Sequence, residues 1–571
     1  MNNRRVVIIA MDQPLDSDAQ LRGKMENVDR RAERQSPGFG ELDLHAVQQE
    51  VNRNLLKLPL LFRGRYMGLP DLMNYVRNGC RFPEITPRNA SQHYLFANGF
   101  TLNGIYLYQY LQRNGYDPEV VQNYSLADLT EVLGERPLAV CISSTFLYLD
   151  DIREMAARIK AVDPEIPVIV GGILVKKIMD AGAQMAPQTL KWLSGFRGLI
   201  DFFVIETHGE QTLLKVLEVL KGGDARDPAD VPNLAFYDSE GRLSFTRREE
   251  EDLPMDETAI AWDRIPRQYL RKTLSVVTSQ GCHYRCRFCT YHRWFPKVRN
   301  KSLSTLRDEL RRIRDLGFVR HVRFADDNFT ADPRRLKSVL EMMIRERFDF
   351  TWSAFARANT LTAEMVKRMQ ASGCEFLNMG IESGSREILR SMDKRLDPEE
   401  TVKAIRLLKE HGIYSLGGII VGYPGETADT FEETVDLINR SGLNYYHPYL
   451  FYYSKSMLVH REKERFGIRG VGWAWRHATM DAVEASRLMA GMIRRVERAY
   501  TDGQQKTWET FKLLRGEGYS GEEILELHRL KRDLQTALSP SEKGEEETPE
   551  IKAILDRIRG IMIRPDLPVR C

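Results

Sequence analysis

Three cysteines, Cys282, Cys286 and Cys289, lie in the stretch Gly-Cys-His-Tyr-Arg-Cys-Arg-Phe-Cys. The spacing is CxxxCxxC, which brings three thiolates into one small volume. Structural zinc and ordinary iron–sulfur sites use four protein ligands. A cubane cluster held by three cysteines leaves one iron open, and an open iron binds and transforms a substrate. The bland alternatives are a zinc site completed by His283 or His292, or three buried thiols; the flanking residues fit the cluster better. Cys80, Cys141, Cys374 and Cys571 are scattered and read as buried or terminal thiols.

Such a site needs a scaffold, and from residue 272 the sequence supplies one. Apolar, β-branched or aromatic runs at 274–278, 321–324, 350–355, 376–381, 414–421 and 444–453 alternate with helical patterns at 304–316, 333–345, 362–372, 385–392, 398–411 and 427–440. Six βα units imply a parallel sheet, because each parallel crossover needs a helix. They fit a six-stranded partial TIM barrel, whose chemistry sits at the C-terminal strand ends. The cysteine triplet directly follows the first of these strands.

The N-terminal part reads as a second α/β unit, a small doubly wound domain. Its strands are expected at 5–10, 119–122, 138–143, 167–170 and 201–206, with helices such as 99–114, 149–162 and 210–221. We take 1–245 as this domain, interrupted by a long insertion at 15–98 with an apolar middle at 55–62. That insertion is expected to cover the domain or its ligand. Residues 246–271 are charged and proline-containing and read as a linker. The barrel spans 272–455, and 456–571 read as a mostly helical C-terminal region with an acidic break at 539–547.

A chain of 571 residues suggests two or three domains. Composition is globular, 42% hydrophobic and 29% charged, and 83 basic against 80 acidic residues leave a net charge of +3. That balance gives no electrostatic case for a nucleic-acid partner. No apolar run approaches a membrane span, and the apolar run after Arg5 reads as a strand rather than a signal peptide. The expected compartment is the reducing cytoplasm.

Further pieces follow the triplet in order. Phe288 immediately precedes Cys289. Phe324-Ala325-Asp326-Asp327-Asn328-Phe329 follows the second strand, Gly380-Ile381-Glu382-Ser383-Gly384 ends the fourth, and Gly417-Gly418-Ile419-Ile420-Val421-Gly422 runs through the fifth. With these pieces, residues 272–455 resemble the core of the radical S-adenosylmethionine (SAM) enzymes. The resemblance implies a [4Fe-4S] cluster on Cys282, Cys286 and Cys289, with SAM on the open iron. It implies Phe288 near the adenine and Asp326 or Asp327 at the SAM ammonium. Arg357 would meet the carboxylate, with Ser353 near it, and Glu382 the ribose or amino group. Backbone at Gly418–Gly422 would approach the adenine.

A barrel of this kind preceded by a doubly wound domain resembles the cobalamin-binding branch. The matching pieces are Gly104-Ile105-Tyr106-Leu107, Cys141-Ile142-Ser143-Ser144-Thr145, Val168-Ile169-Val170-Gly171-Gly172 and Gly209-Glu210. Small residues at Ser143, Ser144, Thr145, Gly171 and Gly172 would let a flat corrin or its nucleotide tail approach. Two departures stand out. The Asp-x-His-x-x-Gly cobalt-ligating motif is absent, the first strand leading instead into Met11-Asp12-Gln13-Pro14. Thr207-His208-Gly209-Glu210 stands where relatives commonly show Gly-Glu-Gly-Glu, so His208 is a cobalt or tail contact or a plain loop histidine.

The resemblance implies a cobalamin-dependent radical SAM methyltransferase acting on an unactivated carbon of a small-molecule or natural-product substrate. A cyclase, rearrangement or oxidation enzyme with the same cofactors is the alternative. An external one-electron donor such as flavodoxin or ferredoxin would feed the cluster. A tRNA methylthiotransferase shares the barrel type but is expected to carry more N-terminal cysteines than Cys80 and Cys141. For substrate contact the sequence offers Tyr446, Tyr449 and His477, among aromatics that equally suit packing.

Overall fold

The computed structural model describes residues 4–11, 44–86, 88–96, 102–121, 124, 127–147, 149–179, 187–222, 227–503, 507–538 and 548–563. Residues 12–43, Gln122, the acidic break at 539–547 and Cys571 lie outside the described residues. The chain divides into two compact units. The described residues of one fall within 1–14, 86–90 and 97–271, and those of the other within 15–85, 91–96 and 272–571.

The first unit is built on one sheet. Its strands are β1 (Arg5–Ile9), β2 (Asp117–Val121), β3 (Ala139–Ser143), β4 (Val168–Gly171), β5 (Phe202–Val204), β6 (Leu234–Tyr237) and β7 (Leu243–Phe245), in the order 2-1-3-4-5-6-7. The first five are parallel and the last two antiparallel. Val6, Val7, Ile8 and Ile9 are all buried, as a strand covered on both faces requires. The order reverses between β1 and β3, which opens a crevice at their C-terminal ends. The doubly wound expectation therefore holds. The hairpin β6–β7 was not legible, its strands being too short to show a period. Residues 246–271 lie against this unit: Trp262 and Tyr269 are buried, and Gln109 Nε2 donates to Ala259 O at 2.8 Å.

The second unit carries the barrel: β8 (Thr273–Val276), β9 (His321–Phe324), β10 (Thr351–Ala356), β11 (Cys374–Glu382), β12 (Tyr414–Val421) and β13 (Tyr445–Leu450). All neighbours are parallel and follow chain order, giving an arc of six strands. Five of the helices between them start on side-chain caps. Ser302, Asp332, Thr362, Asp397 and Thr427 each accept from a backbone N–H of the first turn.

Helix Thr507–Gly516 closes the end of the barrel where the strands begin. Trp508 packs on Phe355 with ring centroids 4.3 Å apart, and Phe511 on Phe376 at 4.5 Å. Arg515 Nε donates to Glu375 Oε2 at 2.7 Å, and Arg323 Nη1 to Glu509 Oε1 at 3.2 Å. One end of the lumen is thus filled by aromatic packing, and chemistry is left to the other.

The described part of the 15–98 stretch, apart from residues 86 and 88–90, belongs to this second unit. Helix Leu44–Leu55 packs on helix Ala482–Arg495, with Asn54 Nδ2 donating to Ser486 Oγ at 3.0 Å. Leu60, Phe62, Leu72 and Tyr75 share a core with Leu527, Ile551 and Leu555 of the C-terminal helices. The C-terminal region is helical but adds a small sheet of Arg469–Val471, Ala474–His477 and Met480–Asp481. No helix among the described residues is long and apolar enough to cross a membrane.

Candidate active site at the open end of the barrel

The loop after β8 carries the three cysteines and is tied down at both ends. The Asp326 carboxylate, just past β9, accepts from Thr278 N, Thr278 Oγ1 and Ser279 Oγ, each at 2.6 Å. Asp327 Oδ2 accepts from Gly281 N at 2.7 Å. At the other end Arg287 N donates to Met392 O at 2.8 Å, and Val459 N to Arg287 O at 3.0 Å. Gly281 sits at φ +90°, and a Cβ there would lie 2.5 Å from Lys297 O. Burial raises both aspartates above the ordinary carboxylate range, Asp327 to about 6. These residues therefore hold the loop, and the lone pairs of Asp326 are committed to it.

None of the three cysteines is in a disulfide, and Cys286 is buried while Cys282 and Cys289 are half-buried. Each sulfur faces an N–H donor. Asn328 Nδ2 approaches Cys282 Sγ at 3.9 Å, Arg357 Nη1 approaches Cys286 Sγ at 3.8 Å, and Tyr291 N donates to Cys289 Sγ at 3.4 Å. Burial pushes the Cys289 thiol up to about 11, and the neighbouring Cys286 and Cys282 add to it. A coordinating metal overcomes that by deprotonating the thiol outright. No group of three or more His, Cys, Asp or Glu among the described residues is placed around a single metal ion. A cubane takes each thiolate on a different iron and so spreads its ligands wider. Three sulfurs with N–H donors around them fit a cluster of that kind.

Around this loop the structure gathers Phe288, Arg357 and Glu382. Arg357 is buried, lies 3.7 Å from the Tyr284 ring centroid, and gives one guanidinium nitrogen to Lys394 O; its Nε is buried without a hydrogen-bond partner among the described residues. Glu382 Oε1 accepts from Lys394 Nζ at 2.6 Å, and that ammonium lies 5.6 Å from the Phe288 ring. Lys394 is a partner the sequence did not reveal, since nothing in its spacing marks it. Tyr449 reaches the same end: it is partly exposed, its phenol is pushed up to about 12 by burial and by Glu382, and it lies 4.3 Å from the buried His447 ring. A Cβ on Gly418 would meet only the Tyr449 ring, at 3.5 Å, and Met379 O, at 3.8 Å, so the wall is open there.

Other sequence candidates lie elsewhere. Ser353 Oγ bonds His321 Nε2 at 2.8 Å on the plugged side of the barrel, away from Arg357. Gly422 serves packing: at φ +86° its Cβ would lie 2.4 Å from the Trp475 ring. Its N–H donates to Glu426 Oε2, and His477 Nε2 bonds its carbonyl at 3.3 Å. His477 also stacks on Trp475 with centroids 5.1 Å apart. Tyr446 is buried, its backbone N–H bonded to Tyr500 O.

In the first unit a cavity of about 140 Å³ lies at the C-terminal ends of β3, β4 and β5. Ser143, Thr145, Gly171, Gly172, Gly209 and Glu210 line it, together with Asn103, Tyr106 and Thr207. Asn103 Oδ1 and Thr207 Oγ1 are buried without a hydrogen-bond partner among the described residues. Gly172 has φ +104°, and a Cβ there would lie 3.0 Å from Ser144 Oγ. Ser144 and His208 are outside the lining.

Residues 276–438 match the family described as the radical SAM superfamily. An uncharacterized methyltransferase of Pyrococcus horikoshii is 25% identical over 348 residues, covering 58% of this chain and 72% of that protein. The anaerobic magnesium-protoporphyrin IX monomethyl ester cyclase of Rubrivivax gelatinosus is 24% identical over 350 residues, 58% of this chain and 60% of that protein. Among solved structures, the radical SAM methyltransferase TsrM of Kitasatospora setae, with tryptophan substrate and a SAM analog bound, aligns at TM-score 0.58 and 18% identity. The match covers 77% of this chain and 97% of that one. The cobalamin-dependent SAM radical enzyme OxsB, with aqua-cobalamin bound, aligns at 0.53 and 16%, covering 81% and 76%. At such identities these structures speak to the fold alone. The match over the barrel, with three cysteines following its first strand, gives this enzyme a radical SAM domain over residues 276–438.

Proposed function

We propose that this enzyme is a cobalamin-dependent methyltransferase acting on an unactivated carbon of a small molecule. One observation carries the reading: the chain that holds the three-cysteine barrel also holds a flavodoxin-like sheet with a largely apolar cavity at its strand ends, lined also by Asn103 and Thr207, whose side-chain oxygens have no hydrogen-bond partner among the described residues. Cys282, Cys286 and Cys289 hold a [4Fe-4S] cluster, which supplies the electron that splits SAM into methionine and a 5′-deoxyadenosyl radical. Arg357, whose buried Nε has no hydrogen-bond partner among the described residues, would meet the SAM carboxylate. Phe288, against the Glu382–Lys394 pair, flanks the nucleoside, and Asp326 and Asp327 keep the loop in register rather than binding the ammonium.

In the first unit, Ser143, Thr145, Gly171 and Gly172 admit a ligand without a steric barrier, and Asn103 and Thr207 offer it unpartnered oxygens. Cobalamin bound there supplies the methyl group. The deciding experiment is anaerobic reconstitution with iron, sulfide and hydroxocobalamin, followed by visible spectroscopy. Uptake of iron without corrin would reject the cobalamin reading. Product made with methyl-labelled SAM then reads the reaction. Unlabelled product would favour the second reading, a cyclisation or rearrangement, which the similarity to a cyclase supports.

A further inference from the structure

The chain as a whole is nearly balanced in charge, but the face over the three-cysteine loop is not. Residues 282–301 include Arg285, Arg287, Arg293, Lys297, Arg299 and Lys301, and no Asp or Glu. The segment after β13 packs on this loop, with Arg293 Nη1 donating to Ser456 O at 3.3 Å and Val459 N to Arg287 O at 3.0 Å. It brings Arg461 to the same face. The carboxylates it also brings are spent locally. Glu462 pairs with Arg287 and, at 2.7 Å, with Arg465; Glu464 pairs with Lys463 at 3.4 Å. Lys301 is buried against Glu309.

Three further cations of these two segments are Arg285, Arg293 and Arg461. All three are exposed, and none has an ion pair among the described residues. They converge: each of the three guanidiniums acts on the His292 imidazole, which burial first and then these charges hold below its ordinary range. Tyr291 and Phe295 stack beside them, centroids 4.8 Å apart. An unneutralised cationic cluster of this size repels itself, so it favours a large anionic partner and steers that partner's approach. It adjoins Cys289 through the short turn 290–293, on the loop where an electron must arrive.

We propose that the face formed by Arg285, Arg293 and Arg461 is the docking surface for an acidic one-electron carrier protein that reduces the cluster. The inference rests on the reading of the three cysteines as cluster ligands. The balance is simple: the carrier's reduced flavin or iron–sulfur centre loses one electron, the enzyme's cluster gains it, and no atom or proton is transferred.

The test uses the reconstituted enzyme and its R293E/R461E variant, each reduced by a strongly acidic reduced flavodoxin or by dithionite. Cluster reduction is followed by bleaching of the visible band, and binding of oxidised flavodoxin by titration calorimetry. With flavodoxin, the variant should need at least about tenfold more carrier for half-maximal reduction, and binding should weaken alike. Wild-type reduction should slow as salt rises from about 50 to about 300 mM, because screening shortens the reach of the charges. Dithionite should bleach both proteins equally. Equal reduction of both by flavodoxin, or salt-insensitive binding, would overturn the proposal. A variant equally impaired in turnover with dithionite would assign the face to an anionic substrate instead, and also overturn it. Wild-type protein that takes up no iron would fail the cluster reading, while calorimetry on that protein would still report on the docking face.

Discussion

Lys394 Nζ lies 2.6 Å from Glu382 Oε1, with both side chains nearly buried, so a full charge pair is sealed at the end of β11 beside the cysteine loop. The pair dictates its surroundings. Glu382 adopts a left-handed φ of 67°, and a Cβ on Gly380 would lie 2.4 Å from its Oε1 and 2.7 Å from Lys394 Nζ. Removing one partner strands the other charge, which costs about 3–5 kcal/mol. Lys394→Met should lower unfolding stability by that amount in urea titrations. The double variant Lys394→Met/Glu382→Gln should recover most of it. A double variant as unstable as the single would mean that packing, not charge, makes the difference.

The Asp326 carboxylate is expected to control cluster retention rather than SAM affinity. It accepts three hydrogen bonds from Thr278 and Ser279, the residues that launch the cysteine loop. Asp326→Ala orphans these buried donors at about 1–3 kcal/mol each. The loop should loosen, and iron and sulfide per chain should fall well below wild type after reconstitution. Full iron content in a folded Asp326→Ala protein would assign the residue another role.

These two sites also show where sequence reasoning reaches its limit. The six barrel strands and their helices were legible because each strand is a dense apolar run and five of the helices begin at a capping Ser, Thr or Asp. The ends of β9 and β11 were legible as polar spots. Their partners were not, since Lys394 sits in a loop with no periodic mark, and a carboxylate committed to loop amides looks in sequence like one that is free. Gly422 misled for a similar reason: the Trp475 ring that demands its missing Cβ lies more than fifty residues later. The apolar stretch near Leu60 was read as part of a cover for the N-terminal domain or its ligand because its partners, Leu527 and Ile551, are at the far end of the chain.

Stability should fall through Glu426 as pH rises from about 4.5 to about 8. Burial pushes this carboxyl up to about 8, and it accepts the Gly422 N–H. A folded pKa above the unfolded value of about 4.5 means that the native state holds a proton the unfolded chain releases. This contribution is full below pH ~4.5 and is lost as pH rises to about 8, up to about 5 kcal/mol. His477, on the carbonyl of the same glycine, works in the opposite direction. Burial holds it down to about 4, so its contribution is full above pH ~6.5 and is lost as pH falls to about 4. Urea titrations at several pH values check both: Glu426→Gln should remove the loss between pH ~4.5 and ~8 and leave the His477 loss toward pH ~4 in place.

Filling the cavity of the first unit should block the corrin without unfolding the protein. Thr145 lines the cavity yet is itself exposed, so a larger side chain there needs no core rearrangement. Thr145→Trp would occupy much of the roughly 140 Å³ available. It should weaken hydroxocobalamin binding about tenfold or more in a spectral titration, with Tm shifted by no more than about 2 °C. Thr145→Ala, which enlarges the space, should bind as wild type does. If Thr145→Trp also binds normally, the corrin tail sits elsewhere, and the unpartnered oxygens of Asn103 and Thr207 serve another ligand. The iron content of both variants should stay at the wild-type level, because the cysteine loop belongs to the other unit.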